Sequence, residues 1–286
     1  MDGSLKLVGR EQQDWALETT LAEDFVLMRG QSGAACLYEG VGAGAVFSVY
    51  VPEPGSQTSV NGHLLEAGQA ALLGPRATVQ IRSRYPGRFL GLDIPWLAAT
   101  QLIFRQHGRE AQARPDVQIL RLPGDFSDAM DLAFSAQDKA NHGLPTVSVR
   151  ARLFAAVASA IAHGNEAHTR QRPASRARIV NQALAHMDLC IRNDQSLTGL
   201  CQALNVSQRS LNRAFSETFD MSAQQYTGLA RLHAIRRALR HADVDDTVTE
   251  VATRFNVWDS GRMASAYRQL FGIYPSEELR QAISRP

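Results

Sequence analysis

The sequence predicts an α+β protein whose N-terminal half is a β-barrel or sandwich with flanking helices. Its C-terminal half is all-α, two repeated helix-pair motifs joined by a long helix. Three observations carry this. Up to about residue 95 the chain runs in short apolar or alternating segments broken by Gly and Pro. After Trp96 apolar residues recur at helical spacing. Beyond residue 196 one pattern of apolar and small residues occurs twice.

The strand signals run from about Glu23 to Pro95: FVLMR, AACLY, AVFSVYV, QAALLG, TVQIRSR and RFLGLDI. Their separators, GVGAG, PEPGS, NGH, GPR and YPG, are rich in residues that accept turn dihedrals. Runs this short, rich in β-branched and aromatic residues, pair as antiparallel neighbours. Asn61-Gly62 is a two-residue hairpin signal.

Helical spacing then marks 96–107, 125–141 and 146–163, with VQILRLP at 117–123 as one more short strand. In the last of these helices Val149, Leu153, Phe154, Val157 and Ile161 form one stripe, suited to packing on its own sheet or on a second subunit. The polar stretch GNEAHTRQRPAS lacks periodicity, so the domains are expected at 1–164 and 176–286, with a linker at 165–175. After Pro173 a new helix places Ile179, Ala183, His186 or Met187, and Cys190 or Ile191 on its inner face.

The repeat begins with LTGLCQALNVSQRSLNRAFSETFDMSAQQY and returns as VTEVATRFNVWDSGRMASAYRQLFGIYPSEEL. Leu200, Cys201, Leu204, Asn205 and Val206 correspond to Val251, Ala252, Phe255, Asn256 and Val257. One inserted residue later, Leu211, Phe215, Phe219 and Met221 correspond to Met263, Tyr267, Phe271 and Ile273. Each copy reads as a short amphipathic helix, a turn at Asn-Val and a second helix capped by Ser207 or Asp259. Cys201 and Ala252 allow a close crossing, and Asn tolerates the left-handed backbone of a tight corner. Both copies are helix-turn-helix units. The helix between them, 222–242, is about 30 Å long at 1.5 Å per residue, near the 34–36 Å repeat of the major groove.

This pair of motifs, with endings FSETFDMSAQQY and YRQLFGIYPSEEL that match the pattern F-x-x-x-F-G-x-S-P-x-x-Y, resembles the AraC/XylS family of bacterial transcription regulators over about residues 173–282. FNVWDSGRMASAYRQLFGIYPSE is similar to the branch that regulates ethanolamine use, a likeness not extended to any ligand. The strand-rich half resembles the family's cupin-like sensing and dimerisation domain in pattern only. The first copy departs from the pattern with Asp220 for Gly and Ala223 for Pro. The second departs with Tyr274 before Pro275 and Leu279 for the closing Tyr. These changes are expected to alter helix ends more than the reading surface.

Charge agrees in direction. Residues 1–164 carry 14 basic and 16 acidic side chains, residues 165–286 carry 16 and 12, and all 16 of those basic residues are arginine. Arginine grips a phosphate or a guanine edge with two parallel hydrogen bonds. In the first recognition helix Leu211 and Phe215 point inward, leaving Gln208, Arg209, Asn212 and Arg213 for the major groove, with side chains suited to guanine and adenine edges. The resemblance places the family's base-reading positions on Arg209, Asn212 and Arg213, and in the second copy on the small residues Ser260, Gly261, Ala264 and Ser265. Arg262 and Arg268 are the second helix's long donors, so it is expected to contribute mainly phosphate and shape contacts. Arg231 and Arg236 join Arg268 as backbone contacts, and Trp258 is expected to pack within the turn.

No catalytic or metal motif competes. His63 is the only histidine of the strand region, no H-x-H accompanies it, and no phosphate loop, GxSxG elbow or HExxH helix is present. Neither an enzyme nor a metal or cofactor is expected. Cys36, Cys190 and Cys201 form no CxxC pair, which suits a reducing compartment, and Cys190 and Cys201 read as buried structural thiols before redox sensors. No apolar run approaches the roughly 18 residues of a membrane span and no signal peptide is recognisable. The expectation is a cytoplasmic, nucleoid-associated homodimer that binds double-stranded promoter DNA as an activator. A small-molecule effector in the N-terminal domain and a contact with RNA polymerase complete the expected partners. Arg82 and Arg84 either face an effector pocket or point outward. The competing reading is a protein-interaction module whose helical tail has lost DNA readout.

Overall fold

A computed structural model of the chain describes residues 2–22, 25–42, 44–107, 117–124, 176–192 and 196–284, with single positions between 126 and 159. Two compact units are present: Met1–Leu5, Gln13–Gly33 and Tyr38–Gln171 form the first. Lys6–Gln12, Ala34–Leu37 and Arg172–Pro286 form the second.

Eleven strands are described, all within the first unit except for the end of β1 and the start of β4: β1 (Asp2–Leu7), β2 (Ala16–Ala22), β3 (Phe25–Ser32), β4 (Cys36–Val41), β5 (Val46–Pro52), β6 (Thr58–Val60), β7 (His63–Leu64), β8 (Gln69–Leu73), β9 (Thr78–Ser83), β10 (Gly87–Pro95) and β11 (Val117–Arg121). They form two sheets, ordered β1-β4-β9-β6-β7 and β11-β8-β5-β10-β3-β2. Each sheet ends in strands with one neighbour, so of the two expected forms the structure is an open sandwich and not a closed barrel. Ala71 and Leu73 of β8 cluster with Val60, Val79 and Ile81 of the other sheet. On the opposite face of the larger sheet Phe25, Leu27, Phe47, Val49, Leu92 and Ile94 pack with Ala99 of helix α1 (Trp96–His107) and with Phe126, Met130 and Val157. Trp96 stacks on Phe47 at 4.6 Å between centroids, which anchors the start of α1.

Alternation decides which runs become strands. In β10, Leu92 lies opposite Leu27 on one side and Val49 on the other, so three buried side chains share one face. Asn61 and Gly62 make the β6–β7 hairpin with φ of 49° and 82°, the mirror-image turn that suits strand twist. Asn61 also donates from Nδ2 to the Thr78 carbonyl and accepts from the Gln80 amide, fixing the turn against β9. β1 and β2 precede Glu23, where the strand signals begin. Their apolar residues Leu5, Leu17 and Leu21 are exposed, so neither run shows the buried alternation that marks β3 to β10. Apart from single helical positions such as Phe126, Met130 and Val157, the expected helices at 125–141 and 146–163 lie outside the described residues, as do the stripe residues Val149, Leu153, Phe154 and Ile161 and the linker at 165–175.

The second unit is helical: α2 (Arg176–Arg192), α3 (Leu197–Ala203), α4 (Gln208–Phe219), α5 (Ala223–Arg240), α6 (Val248–Thr253), α7 (Ser260–Phe271) and α8 (Pro275–Ile283). The inner stripe of α2 is Val180, Ala183, Met187, Cys190 and Ile191. Ile179 is only half-buried, because the stripe starts one residue later than its spacing suggests. Leu200, Leu211 and Phe215 of the first repeat share one core with Val251, Met263 and Tyr267 of the second, through Tyr226, Ile235 and Leu239 of α5. Cys190 and Cys201 are buried in it, and burial pushes both thiols above their ordinary pKa, so neither favours the thiolate that redox sensing needs. No helix of the described residues is long and apolar enough to cross a membrane.

Candidate nucleic-acid interface

Each repeat folds as its residues dictate. Ser196, Ser207, Ser222, Thr247 and Asp259 cap α3, α4, α5, α6 and α7, each side chain accepting from the backbone amide three residues on. The two corner asparagines hold matching left-handed dihedrals, φ 51° at Asn205 and 58° at Asn256. Asn256 also donates from Nδ2 to the Arg192 carbonyl at 3.0 Å, and Arg231 donates to the Cys190 carbonyl at 3.1 Å. Together they satisfy carbonyls at the end of α2 that would otherwise lack a partner. The one inserted residue of the second repeat is Trp258. It is 76% exposed and does not pack in the turn as expected, because the inserted position is extruded where Val257 and Asp259 already close the corner.

The two recognition helices, α4 and α7, bury Leu211, Ala214, Phe215, Met263, Tyr267 and Leu270. Phe215 meets Phe219 and Tyr226 edge-to-face and Phe219 stacks on Tyr226, with centroids 5.1–5.4 Å apart, which locks α4 onto α5. The second motif is fastened by charge instead. Glu278 of α8, 5% exposed, accepts from Arg236 Nε at 3.1 Å, Arg240 Nε at 2.6 Å and the Tyr267 hydroxyl at 2.7 Å. Burial pushes the Glu278 carboxyl up, but the hydrogen bonds from Arg240 and Tyr267 and the charges of Arg236 and Arg240 outweigh it and hold it below its ordinary pKa. Linker helix, recognition helix and C-terminal helix therefore meet at one carboxylate, a junction that sequence spacing does not reveal. Arg236 also lies over the Phe271 ring at 4.4 Å, so it is a structural residue and not the expected phosphate contact.

One open groove is lined by Gln208 of α4, Gln224 and Arg231 of α5, and Trp258, Arg262, Ser265 and Arg268 of the second motif. Gln208, at the start of α4, thus shares one surface with Arg262, Ser265 and Arg268 of α7, whereas Arg209, Asn212 and Arg213 are not among the lining residues. α5, which joins the motifs, has 18 residues and hence a length of about 27 Å. It is one turn shorter than the expected span 222–242, since Ser222 serves as its cap and His241 ends it.

The sequence-predicted readers are not equally available. Gln208 and Arg209 are exposed. Arg213 is exposed and donates from Nε to Glu217 at 2.9 Å, and Arg176 holds the same carboxylate; the hydrogen bond from Arg213 leads the effects that hold Glu217 below its ordinary pKa. An exposed pair of this kind contributes at most about 1 kcal/mol, so Arg213 is released cheaply. Asn212 is half-buried, and its Oδ1 accepts from the Ala223 amide at 3.2 Å. Proline, the residue of the AraC/XylS pattern at 223, has no amide hydrogen to offer. This departure therefore reaches the reading face, contrary to expectation: a two-bond contact from Asn212 to adenine requires Oδ1 to leave Ala223. In α7, Ser260 is half-buried, the Ser265 hydroxyl donates to the Gly261 carbonyl, and Arg268 stacks on Tyr274 at 4.6 Å while donating to its hydroxyl. Arg262 is exposed and, among the described residues, has no ion-pair partner.

Residues 200–281 match the family model described as a helix-turn-helix domain. They cover both repeats and α5. Over this stretch the C-terminal unit is similar to regulators of the AraC/XylS family. Among AraC/XylS relatives, the probable thc operon regulatory protein of Rhodococcus erythropolis is 30% identical over 103 residues, 36% of this chain and 31% of that protein. The transcriptional activator RhaS of Enterobacter sp. strain 638 is 28% identical over 102 residues, 36% of each chain. The XylDLEGF operon transcriptional activator of Pseudomonas putida is 30% identical over 92 residues, 32% of this chain and 29% of that one. The chain thus spans about a third of the length of these relatives. Among solved structures, an apo variant of ToxT from Vibrio cholerae strain SCE256 aligns over 91% of this chain and 98% of its own, at 10% identity and a TM-score of 0.38. The AraC-like transcriptional activator CuxR aligns over 76% and 79%, at 16% identity and a TM-score of 0.34.

Proposed function

We propose that the chain is a transcription regulator that inserts α4 and α7 into adjacent major-groove segments of promoter DNA. The observation that carries the reading is the shared groove that brings Gln208, at the start of α4, onto one surface with Arg262, Ser265 and Arg268 of α7. The AraC/XylS relatives, named as operon regulators and transcriptional activators, support it. The DNA-binding set is Gln208, Arg209, Asn212 and Arg213 from the first motif and Ser260, Arg262, Ser265 and Arg268 from the second. Within it Arg209 and Arg213 read bases, Arg262 supplies the second motif's reach, and Ser265 and Arg268 act as positioning contacts. The protein works as a homodimer, in the cytoplasm and on the nucleoid. The strand-rich domain, residues 1–164, takes a small effector that shifts how the 176–286 domains are presented, which requires different effector affinities in the two arrangements. The bound protein activates through a contact with RNA polymerase.

The test is a paired affinity measurement. Arg209→Ala and Arg213→Ala are each expected to weaken binding to the protein's own promoter by about 1–3 kcal/mol while changing affinity for random DNA far less. Electrophoretic mobility shift with both duplexes reads the difference. Equal losses on the two would make these arginines phosphate contacts and remove base reading from α4.

A further inference from the structure

A sheet edge exposes unpaired backbone donors and acceptors, and proteins protect such edges by shortness, by lysine, by proline or by cover. The sandwich has four edges, and three are protected. β7 has two residues, β1 carries Lys6, and β11 is mostly half-buried and runs into Pro123 two residues after its end. The fourth, β2, has none of these devices among the described residues. Its seven residues ALETTLA pair with β3 without a bulge, from Ala16 opposite Gln31 to Ala22 opposite Phe25. Among the described residues no strand pairs with its outer side. Leu17 and Leu21, on one face, are each 65% exposed.

We propose that β2 is the edge through which two copies of this chain join, antiparallel about a two-fold axis perpendicular to the sheet at Thr19. The β2 sequence is complementary to itself in that register. On one face Leu17 lies opposite the second copy's Leu21, Thr19 opposite Thr19, and Leu21 opposite Leu17, all favourable cross-strand pairs. On the other face Glu18 lies opposite Thr20, so no two like charges are directly opposed. The Glu18 carboxylate is already matched by Arg29 of its own chain, 3.9 Å away. Moving the axis one residue either way sets leucine against threonine and loses the match. The contact is isologous and closes with two copies. This inference rests on the homodimer reading above but is independent of DNA recognition.

The experiment uses the full chain. Sedimentation equilibrium at micromolar concentration is expected to give the mass of two chains for the unsubstituted protein and of one chain for L17K/L21K, with unchanged circular dichroism. Thr19→Cys is a second, independent probe, because Cys36, Cys190 and Cys201 are all buried. A short bismaleimide is expected to link two copies at Cys introduced there, and not at Leu64→Cys on the comparably exposed β7. A single-chain mass at every concentration would overturn both the homodimer and this surface. A dimer that persists in L17K/L21K, or that is linked through position 64 and not 19, would overturn the β2 edge alone.

Discussion

Replacing Glu278 by alanine is expected to destabilise the helical unit by roughly 3–5 kcal/mol, the range for removing one partner of a buried ion pair. The reason is the charge left behind. Arg236 has a side chain only 20% exposed, and without Glu278 its guanidinium and the Tyr267 hydroxyl both lose their acceptor in the interior. Glu278→Gln keeps the shape and an acceptor but not the charge, so its loss falls between alanine and the unsubstituted protein. Urea unfolding followed by far-UV circular dichroism measures both. A loss below about 1 kcal/mol for the alanine variant would show the junction to be dispensable. Because Glu278 binds α5 and α7 together, the loss also falls on the orientation of the second recognition helix.

Acid is expected to weaken the same unit in two separate steps. His233 is held neutral. Its burial pushes the imidazole down to about 4, more than the hydrogen bond between Nε2 and the Leu7 carbonyl at 2.9 Å pushes it up, with Lys6, Arg236 and Arg237 adding to the depression. In the unfolded chain the ring titrates near 6.5, so between these values the unfolded state binds more protons and stability falls as pH falls. The contribution is complete above about pH 6.5 and lost toward pH 4, up to about 3 kcal/mol. His233→Gln retains a donor for Leu7 without a titrating ring and is expected to flatten this step. Glu278 acts lower. Its folded pKa is depressed, so its contribution is present above the unfolded carboxylate value of about 4.3 and is lost as pH falls below it. Unfolding midpoints in His233→Gln that fall as steeply between pH 6.5 and 4 as in the unsubstituted protein would remove His233 from this account.

The helical unit was legible because its determinants are local. Asn205 and Asn256 at the corners, Ser207 and Asp259 at the caps, and the apolar positions from Leu200 to Met221 and from Val251 to Ile273 all lie within short windows of sequence. The strands β3 to β10 showed themselves by buried alternation, whereas β1 and β2 did not, since an edge strand with Leu17 and Leu21 in solvent breaks the rule that apolar residues mark the inner face. The candidate interface was legible in composition but not in availability. Arg209 and Arg262 could be assigned from helical spacing. The hydrogen bond from Ala223 to Asn212, the stacking of Arg268 on Tyr274 and the burial of Arg236 against Glu278 depend on residues 6 to 42 positions away, and no periodicity encodes them. Trp258 was misplaced because an aromatic residue in a turn usually packs, and here the one-residue insertion leaves it outside the corner.

These corrections leave the first motif with the freer side chains among the proposed readers, Arg209 and Arg213, and the second with Arg262, Trp258 and residues already engaged within the fold. Both motifs are still expected to hold the duplex, and holding depends on phosphate neutralisation. The most direct measurement is the salt dependence of binding to promoter and to random DNA. For roughly six neutralised phosphates, log K against log salt should fall with a slope of about −5, with promoter DNA bound more tightly than random DNA throughout. A slope near zero, or equal affinity for the two sequences at every salt concentration, would contradict the regulator reading.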